Sequence, residues 1–476
     1  MRDLFLLAVL PFLLYAMAKR PFIAMGMWVW TALFFPNGWV YGMASSIRYN
    51  LLFTAVAMLG YLAMKNKPKV RIGGVGALVL VFFMWTTAST ITTIGNPEVA
   101  WDIWNRFAKI TLLFVFVLLI VEKKLHVDFM LWCVVLSVGF YASLEALKFI
   151  ASGGGHMIAG MHGHVLGDRN ELALAIVMTL PICYYLIGEY GQRSRIVKAG
   201  LLGAIALLVI AVIGTQSRGG FLALLALGGY LFLKSERKLA VGALIACLAL
   251  LVAQLAPPEW LERINTIETA NEDASFMGRV VAWKLSFIMA MRDPLFGGGF
   301  KSLEYLPVWI DLSRDFFAYP WFYTGDAVPV TNFARAAHSV YFQVLGDHGF
   351  VGLALYLACL FGAFRKAGRS ARTVRKAGGP AWLVTLATMV QLSIFAFALG
   401  GAALSFAYFD LIFTLFALTI VIETRLVPAA LARPDDKESG PHAALSPGAA
   451  VPLPPRAGVR TPARQGGMRS EQYEEQ

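Results

Sequence analysis

The chain has 476 residues, of which 58% are hydrophobic and only 15% are charged. Soluble domains average about a quarter charged residues, so this composition excludes an ordinary soluble enzyme and indicates a membrane protein. The formal charge of +12 is concentrated in short connections between apolar blocks, which argues against nucleic acid as a partner.

Apolar blocks recur along the chain, and many are long enough to cross a bilayer, which takes about 20 residues per helix. They predict an all-α, polytopic membrane protein with about 12–13 transmembrane helices. The blocks lie near residues 3–18, 22–36, 47–64, 74–92, 107–121, 128–150, 170–188, 197–214, 219–233, 238–256, 338–364, 381–401 and 404–424.

Basic residues occupy alternate connections between these blocks: Lys19-Arg20, Lys65 to Arg71, Lys123-Lys124, Arg193 to Lys198, Lys234 to Lys238 and Arg365 to Lys376. The positive-inside rule places these connections in the cytoplasm. The connections near 36–48, 93–106, 151–169 and 257–337 are therefore predicted to lie outside. The last of them has seven Lys/Arg and ten Asp/Glu residues, so it is mildly acidic where the inner connections are basic.

This pattern divides the chain into four parts. We predict an N-terminal transmembrane bundle at 1–256, a large periplasmic loop at 257–337 and C-terminal transmembrane helices at 338–427. Residues 428–476 are rich in Pro, Ala, Gly and charge without periodicity, which is typical of a disordered tail, here cytoplasmic.

An amphipathic helix is predicted inside the large loop, from Ser275 to Arg292. Asp293-Pro294 ends it, and Gly297 to Gly299 is interpreted as a flexible turn. Such a helix would lie on the membrane or cap a cavity in the bundle; the alternative is that it packs on its own loop. Apolar residues recur on one face at helical spacing: Val280, Trp283, Phe287 and Met291.

Two arginines on the outer side are candidates for binding an anion. Arg218 follows Ser217 and precedes two glycines, so an anionic group can approach it closely, and a guanidinium binds phosphate through two parallel hydrogen bonds. Arg279 lies one turn before Trp283, and a second arginine would suit a diphosphate. The alternative for both is a charge that extends to lipid headgroups or solvent.

His338-Ser339 stands where the loop re-enters the membrane. A histidine there could act as a general base or orient an acceptor hydroxyl, because its pKa lies near the working pH. A structural role is the alternative. Asp347, Gly349 and Gly352 follow.

The segment from Gly167 to Glu171 precedes another apolar block. Asp168 or Asn170 is a suitable N-cap for the following helix. His156, His162 and His164 lie just before it and suggest zinc, but the sequence offers no clear partner ligand, so no metal is predicted. No Walker or dinucleotide motif occurs in a suitable context, so no nucleotide cofactor is expected.

Three of these features together resemble the O-antigen ligase superfamily, the membrane proteins with a Wzy_C region. They are a Ser-Arg-Gly signature that opens a span, an Arg…Trp helix ending in a Pro- and Gly-rich turn, and a His-Ser-x9-Gly-x-x-Gly pattern. In this chain they are Ser217-Arg218-Gly219; Arg279, Trp283, Pro294 and Gly297 to Gly299; and His338-Ser339 with Gly349 and Gly352. The family often has Thr or Val next, where this chain has Leu353.

A particular branch is also indicated. Residues 1–36 and the segment from Asp168 to Leu172 resemble the O-glycosylation ligases associated with the exosortase A system. The resemblance covers about residues 1–425.

The resemblance implies a GT-C-like fold and a metal-independent enzyme without cofactor. Its donor would be a glycan on undecaprenyl diphosphate, and its acceptor a hydroxyl of a protein or glycolipid. Arg218 and Arg279 would hold the diphosphate, and His338 would activate the acceptor with inversion at the anomeric carbon. Lower in rank as substrate-binding residues are Ser217, Asp168, Arg169, Trp283 and Ser339.

Three other functions remain open from the sequence. A Wzy-type polymerase would use the same donor but attack a second lipid-linked glycan. A flippase or other transporter would be expected to show inverted repeats or broken helices at mid-membrane, and neither is evident in the sequence. A membrane scaffold would not require the His-Ser/Gly pattern.

Overall fold

The computed structural model describes residues 1–234 and 274–432, with residues 238, 239, 242 and 246 between them. These residues form helices, turns and loops without a strand. The longer helices are, in chain order, α1 (Arg2–Lys19), α2 (Pro21–Leu33), α3 (Tyr49–Ala63), α4 (Gly73–Ile91), α5 (Pro97–Ile120), α6 (Lys124–Ala151), α7 (Arg169–Tyr190), α8 (Arg195–Gly214), α9 (Arg218–Lys234), α10 (Ala274–Arg292), α11 (Leu306–Ser313), α12 (Val340–Lys376), α13 (Ala381–Gly400) and α14 (Asp410–Val421). The shorter helical turns are Pro36–Trp39, Gly42–Ser46, Ser302–Glu304, Phe316–Ala318, Gly401–Ala403, Ile422–Leu426 and Val427–Leu431.

The prediction of an all-α, polytopic membrane protein is confirmed. Among the described residues, eight helices are long and apolar enough to cross a membrane. Three shorter apolar helices and α1 correspond to the other predicted blocks in this part of the chain. The predicted block at 238–256 and the start of the large loop lie almost entirely outside the described residues. The helix Val427–Leu431 crosses the predicted boundary at residue 428, and the tail beyond residue 432 also lies outside them.

Connections that share a predicted side of the membrane contact one another. On the predicted inner side, Lys124 Nζ lies 2.9 Å from Glu189 Oε2, and Arg425 donates to the carbonyl of Lys69 at 3.2 Å. On the predicted outer side, the N–H of Ile94 donates to the carbonyl of Gly298 at 3.0 Å. The contacts therefore divide the connections into the same two sets as the charge pattern does. Which of the two sets faces the cytoplasm stays a prediction.

The centre of the bundle holds α7, which packs against α8 and α13. At its outer end the packing uses small residues, since a β carbon on Gly220 of α9 would collide with Ala173 of α7. Gly400, at the end of α13, lies against Leu174 and Ala223 in the same way. Small residues let helix backbones approach closely in membranes, so the outer ends of α7, α9 and α13 are drawn together.

The described part of the large loop is an ordered unit with its own apolar core. The predicted helix is present as α10. The predicted apolar stripe is not the most buried face of this helix, because Met291 is 41% exposed, whereas Val281 and Leu285 are buried. The reason is that α10 is covered from two sides, by the loop core and by α12, and these neighbours decide which of its residues are buried. The buried loop core is made by Val281, Ala282, Leu285, Ile288, Met289, Leu303, Val308, Trp309, Leu312 and Phe316.

α12 is broken at Gly349, whose backbone (φ 68°, ψ −171°) is not helical. The glycine run after α10 packs into this break: the N–H of Gly298 donates to the carbonyl of Gly346, and that of Gly299 to Asp347, both at 2.8 Å. The N–H of Phe350 donates to the carbonyl of Pro294 at 2.9 Å. The run is buried and bonded rather than flexible, because it supplies partners for main-chain groups that the break leaves without helical ones.

Replacing Gly349 with Ala is expected to destabilise the protein by about 3 kcal/mol, the upper end of the cost of a strained backbone. This conformation is accessible almost only to glycine, and a β carbon would lie 2.6 Å from the carbonyl oxygens of Pro294 and Leu295. Thermal unfolding of the detergent-solubilised variant measures the effect. Gly228→Ala in α9 is the control, since nothing lies within 4 Å of its β carbon position. Equal melting of the two variants would contradict this account of the break.

Candidate functional site

Two helix starts on the predicted outer side are joined by one asparagine. The carboxylate of Asp168 accepts from the N–H of Asn170 at 2.7 Å and from its side-chain amide at 2.9 Å, which confirms the N-cap interpretation for α7. The side-chain oxygen of Asn170 accepts in turn from Ser217 Oγ at 2.7 Å. The first residues of α7 and α9 are thus tied together.

Ser217 also fixes the start of α9, on which Arg218 stands. Its hydroxyl oxygen accepts from the N–H of Gly220 at 3.1 Å while its proton goes to Asn170. Because this hydroxyl already donates and accepts within the protein and the residue is buried, its geometry fits positioning of Arg218 better than direct contact with a substrate. Arg218 is the first residue of α9 and is half-buried.

The start of α12 presents His338 in a fixed, left-handed backbone conformation, with φ 47°. Its N–H donates to Ser405 Oγ at 2.7 Å. The carbonyl of the preceding Ala337 accepts from Trp283 Nε1 at 2.6 Å, and the Trp283 ring stacks on Phe342 with centroids 5.2 Å apart. Trp283 therefore fastens the peptide before His338, and non-glycine residues at positive φ persist only where surrounding contacts hold them.

Charged groups from several elements act on His338. Burial lowers the pKa of His338 below its ordinary value of 6.5, and the positive charges of Arg279 and Arg335 lower it further. Glu304 and Asp168 act in the opposite direction. These influences together favour the neutral form of the half-buried imidazole, the form that can accept a proton.

The same place collects positive electrostatic potential. α7, α9 and α12 all begin here, and a helix N-terminus carries a partial positive charge with main-chain N–H groups that favour anions. The guanidinium of Arg335 lies directly against Gly278, where a β carbon would collide with it, and Arg279 follows on the same helix. The arrangement suits a group with two or more negative charges.

A buried carboxylate links the large loop to this site. Asp347 accepts from the N–H of Lys301 at 3.1 Å and from the hydroxyl of Tyr408 at 3.0 Å. Lys301 Nζ in turn lies 3.2 Å from Glu304 Oε2, so Asp347 holds the turn that carries Glu304, whose charge raises the pKa of His338. Beside it, the ring of His348 is enclosed by aromatic side chains, with Phe300 at 4.5 Å.

Most of the predicted site residues are brought to one region of the fold, on its predicted outer side, namely Asp168, Ser217, Arg218, Arg279, Trp283, His338 and Ser339. Ser339 is buried at the start of α12, and its side chain makes no capping hydrogen bond there. Arg169 lies at the edge of the region, where Nη1 is 3.4 Å from the sulfur of Met157.

Four residues of this region were not singled out from the sequence: Lys301, Glu304, Arg335 and Ser405. The first three carry charge on the predicted outer side, which is the signal that would have found them. Ser405 gave no such signal.

The three histidines before α7 do not share a site. His156 Nε2 lies 2.8 Å from Glu145 Oε2, and His164 stacks on Phe35 with ring centroids 5.6 Å apart. Burial lowers the pKa of His164 to about 4. In the part of the chain that the structure describes, no three His, Cys, Asp or Glu side chains are grouped so that they could hold a metal ion.

Two family models match the chain. Residues 203–357 match the model described as O-Antigen ligase (Wzy_C), and this range includes Arg218, Arg279, His338, Gly349 and Gly352. Residues 1–191 match a family of unknown function, DUF5935. This matched range ends just after α7. No curated protein matches the chain.

Proposed function

We propose, from the premise that residues 203–357 match the O-antigen ligase model of a membrane glycosyltransferase-like family, that this protein is a glycan ligase. It would transfer a glycan from undecaprenyl diphosphate to a hydroxyl of a protein or glycolipid. The reaction would take place at the periplasmic face of the bacterial inner membrane, with the large loop periplasmic and the tail cytoplasmic.

The observation that supports this proposal best is the set of charged side chains and helix N-termini around His338. The half-buried imidazole lies within the electrostatic influence of Arg279 and Arg335, and Arg218 stands at the start of α9, one of the three helices that begin in this region. A diphosphate leaving group needs positive charge, and an acceptor hydroxyl needs a base. The region around His338 offers both the positive charge and the base.

In the proposed reaction the acceptor oxygen attacks the anomeric carbon from the side opposite the diphosphate. The acceptor proton passes to the imidazole of His338 as the new C–O bond forms. The old C1–O bond breaks, and its electron pair stays on the diphosphate. Arg218 and Arg279 stabilise the charge that grows there, so we propose inversion without a metal ion. Asp168 and Ser217 hold the helix starts, and Trp283 holds the peptide before His338.

The pH dependence follows from the charges around His338. Because its pKa lies below 6.5 and the base must be neutral in the free enzyme, kcat/KM should fall only as pH drops below 6.5. Arg335→Gln removes a positive charge and should move this acid limb to higher pH, whereas Glu304→Gln should move it to lower pH. Profiles of kcat/KM against pH for the unmodified chain and the two variants measure these shifts. Shifts of both variants in one direction would contradict the proposal.

The direct test is the product of the purified full chain in proteoliposomes with undecaprenyl-diphosphate-linked glycan and candidate acceptors. A ligase yields glycan on the acceptor together with free undecaprenyl diphosphate. Glycan that grows longer on its lipid carrier would instead identify a polymerase. Glycan that changes leaflet without leaving the carrier would identify a flippase and overturn the proposal.

A further inference from the structure

A cavity lies between the large loop and the segment that follows α4. Its volume is about 510 Å³, within the usual range of roughly 300–1,000 Å³ for ligand sites. Its walls are the segment after α4, the end of α10, and α11 with the residue before it. None of the residues assigned above to the transfer reaction lines it.

The polar part of the lining is held in place by ion pairs. Arg292 contacts the carboxylate of Asp311, and its Nη2 lies 2.7 Å from Asp315 Oδ2. Asp293 accepts from the main-chain N–H groups of two following residues, at 3.2 and 2.9 Å. Carboxylates and a guanidinium in fixed positions can accept from and donate to several hydroxyl groups of one ligand.

The rest of the lining is apolar or aromatic. Tyr305 lines the cavity and is 39% exposed, and Ile94 is 54% exposed. Met289, Val308 and Leu312 complete this side. A ligand with one polar edge and one face of C–H groups matches such a lining, and this is the chemistry of a pyranose sugar.

The charge of the cavity excludes a second phosphate site. Two carboxylates and one guanidinium line it, and Asp315 adds a further negative charge beside Arg292. A diphosphate would be repelled by this balance, whereas a neutral or amino sugar would not.

The cavity is adjacent to the proposed reaction centre. Tyr305 directly follows Glu304, whose charge acts on His338, and neighbouring Cα atoms are about 3.8 Å apart. Gly297, in the cavity wall, belongs to the glycine run that packs into the break of α12. A glycan that extends from His338 past Glu304 would reach Tyr305 in the cavity wall.

We propose that this cavity is a subsite for a sugar of the transferred glycan, one or more units away from the bond that breaks. The proposal rests on the function proposed above. Arg292, Asp293 and Asp311 bind hydroxyl groups, and Tyr305 contacts the C–H face. The subsite would select donors by the length and charge of their glycan.

Two variants test this in different ways. Tyr305→Ala removes the aromatic contact, and Ile94→Trp fills the cavity without removing any of its polar groups. Phe317→Ala is the matched control, because Phe317 is 75% exposed on the same loop and does not line the cavity. The full chain in nanodiscs is titrated with the oligosaccharide released from its own undecaprenyl-diphosphate donor by mild acid, and binding is followed by saturation-transfer NMR.

Tyr305→Ala should bind the oligosaccharide about tenfold more weakly, as expected when one aromatic contact is lost. Ile94→Trp should weaken binding at least as much, because the indole occupies the space of the sugar, and the control should bind like the unmodified chain. In transfer assays, the KM of both cavity variants should rise for a donor with a full-length glycan and stay unchanged for one with a single sugar. Unchanged binding in both variants, or no binding by the unmodified chain, would overturn the proposal. Binding that depends on the cavity in a chain that transfers no glycan would support the subsite and contradict only the ligase function.

Discussion

Replacing His338 with Asn is expected to reduce transfer by about 10²–10⁴-fold, the usual contribution of a positioned general base. Asn is chosen because it tolerates the left-handed backbone that His338 adopts, so the variant removes the base without straining the chain. The initial rate of glycan transfer in proteoliposomes measures the effect, alongside thermal unfolding to show that the fold is retained.

His162→Asn is the control for this experiment, since His162 is an exposed histidine on the same predicted side. We expect it to turn over like the unmodified chain. Full turnover by the His338 variant would remove this residue from the mechanism. A variant that is slow and also unfolds early would point to a structural role for the contact between the His338 N–H and Ser405.

Replacing Arg279 with Gln is expected to lower kcat by about 10²–10³-fold, the loss seen when one preorganised group facing a developing charge is removed. The charge on the diphosphate is largest in the transition state, so kcat and kcat/KM should fall together. Arg279→Lys should recover only part of the activity, because an ammonium lacks the planar pair of donors that fits phosphate. Arg218→Gln should behave in the same way as Arg279→Gln.

Arg106→Gln is the matched control, because Arg106 is an exposed arginine near the outer end of α5, 68% exposed and paired with Asp102. Steady-state kinetics with increasing donor concentration separate kcat from KM. A rise in KM with unchanged kcat in the Arg279 variant would mean that this arginine only attracts the donor. Unchanged kinetics would exclude it from the site.

The sequence predicted the parts of this site whose signals are local. Charge in an otherwise apolar chain is conspicuous, so Arg218, Arg279 and His338 stood out, and Asp168 was recognisable as an N-cap. Ser405 could not be recognised, because its partner, the His338 N–H, is 67 residues away and nothing local marks a serine that accepts a long-range bond. Tyr408 could not be recognised for the same reason, because its hydrogen bond to Asp347 also joins residues that are far apart in the sequence.

The helices were predicted from their apolar blocks, yet two features of the large loop were not. The buried face of α10 depends on neighbours from α12 and α11, which periodicity within one helix cannot reveal. The break at Gly349 is encoded by glycines in two separate segments that become informative only when they meet. By contrast, the charged residues Arg218, Arg279 and His338 could be recognised without knowing which residues they contact.

The length of α12 sets the depth at which the proposed reaction would occur. Counting about 1.5 Å per residue, the path from Arg365, at the predicted cytoplasmic end, to His338 is at most about 40 Å, and the break at Gly349 shortens it. The hydrocarbon core is about 30 Å thick, and the bilayer with its headgroups about 40–45 Å. If Arg365 lies at the cytoplasmic surface as predicted, His338 would stand no further out than the outer headgroups, where the phosphates of a membrane-anchored donor reside. The carrier would not have to be lifted out of the bilayer for its glycan to be transferred.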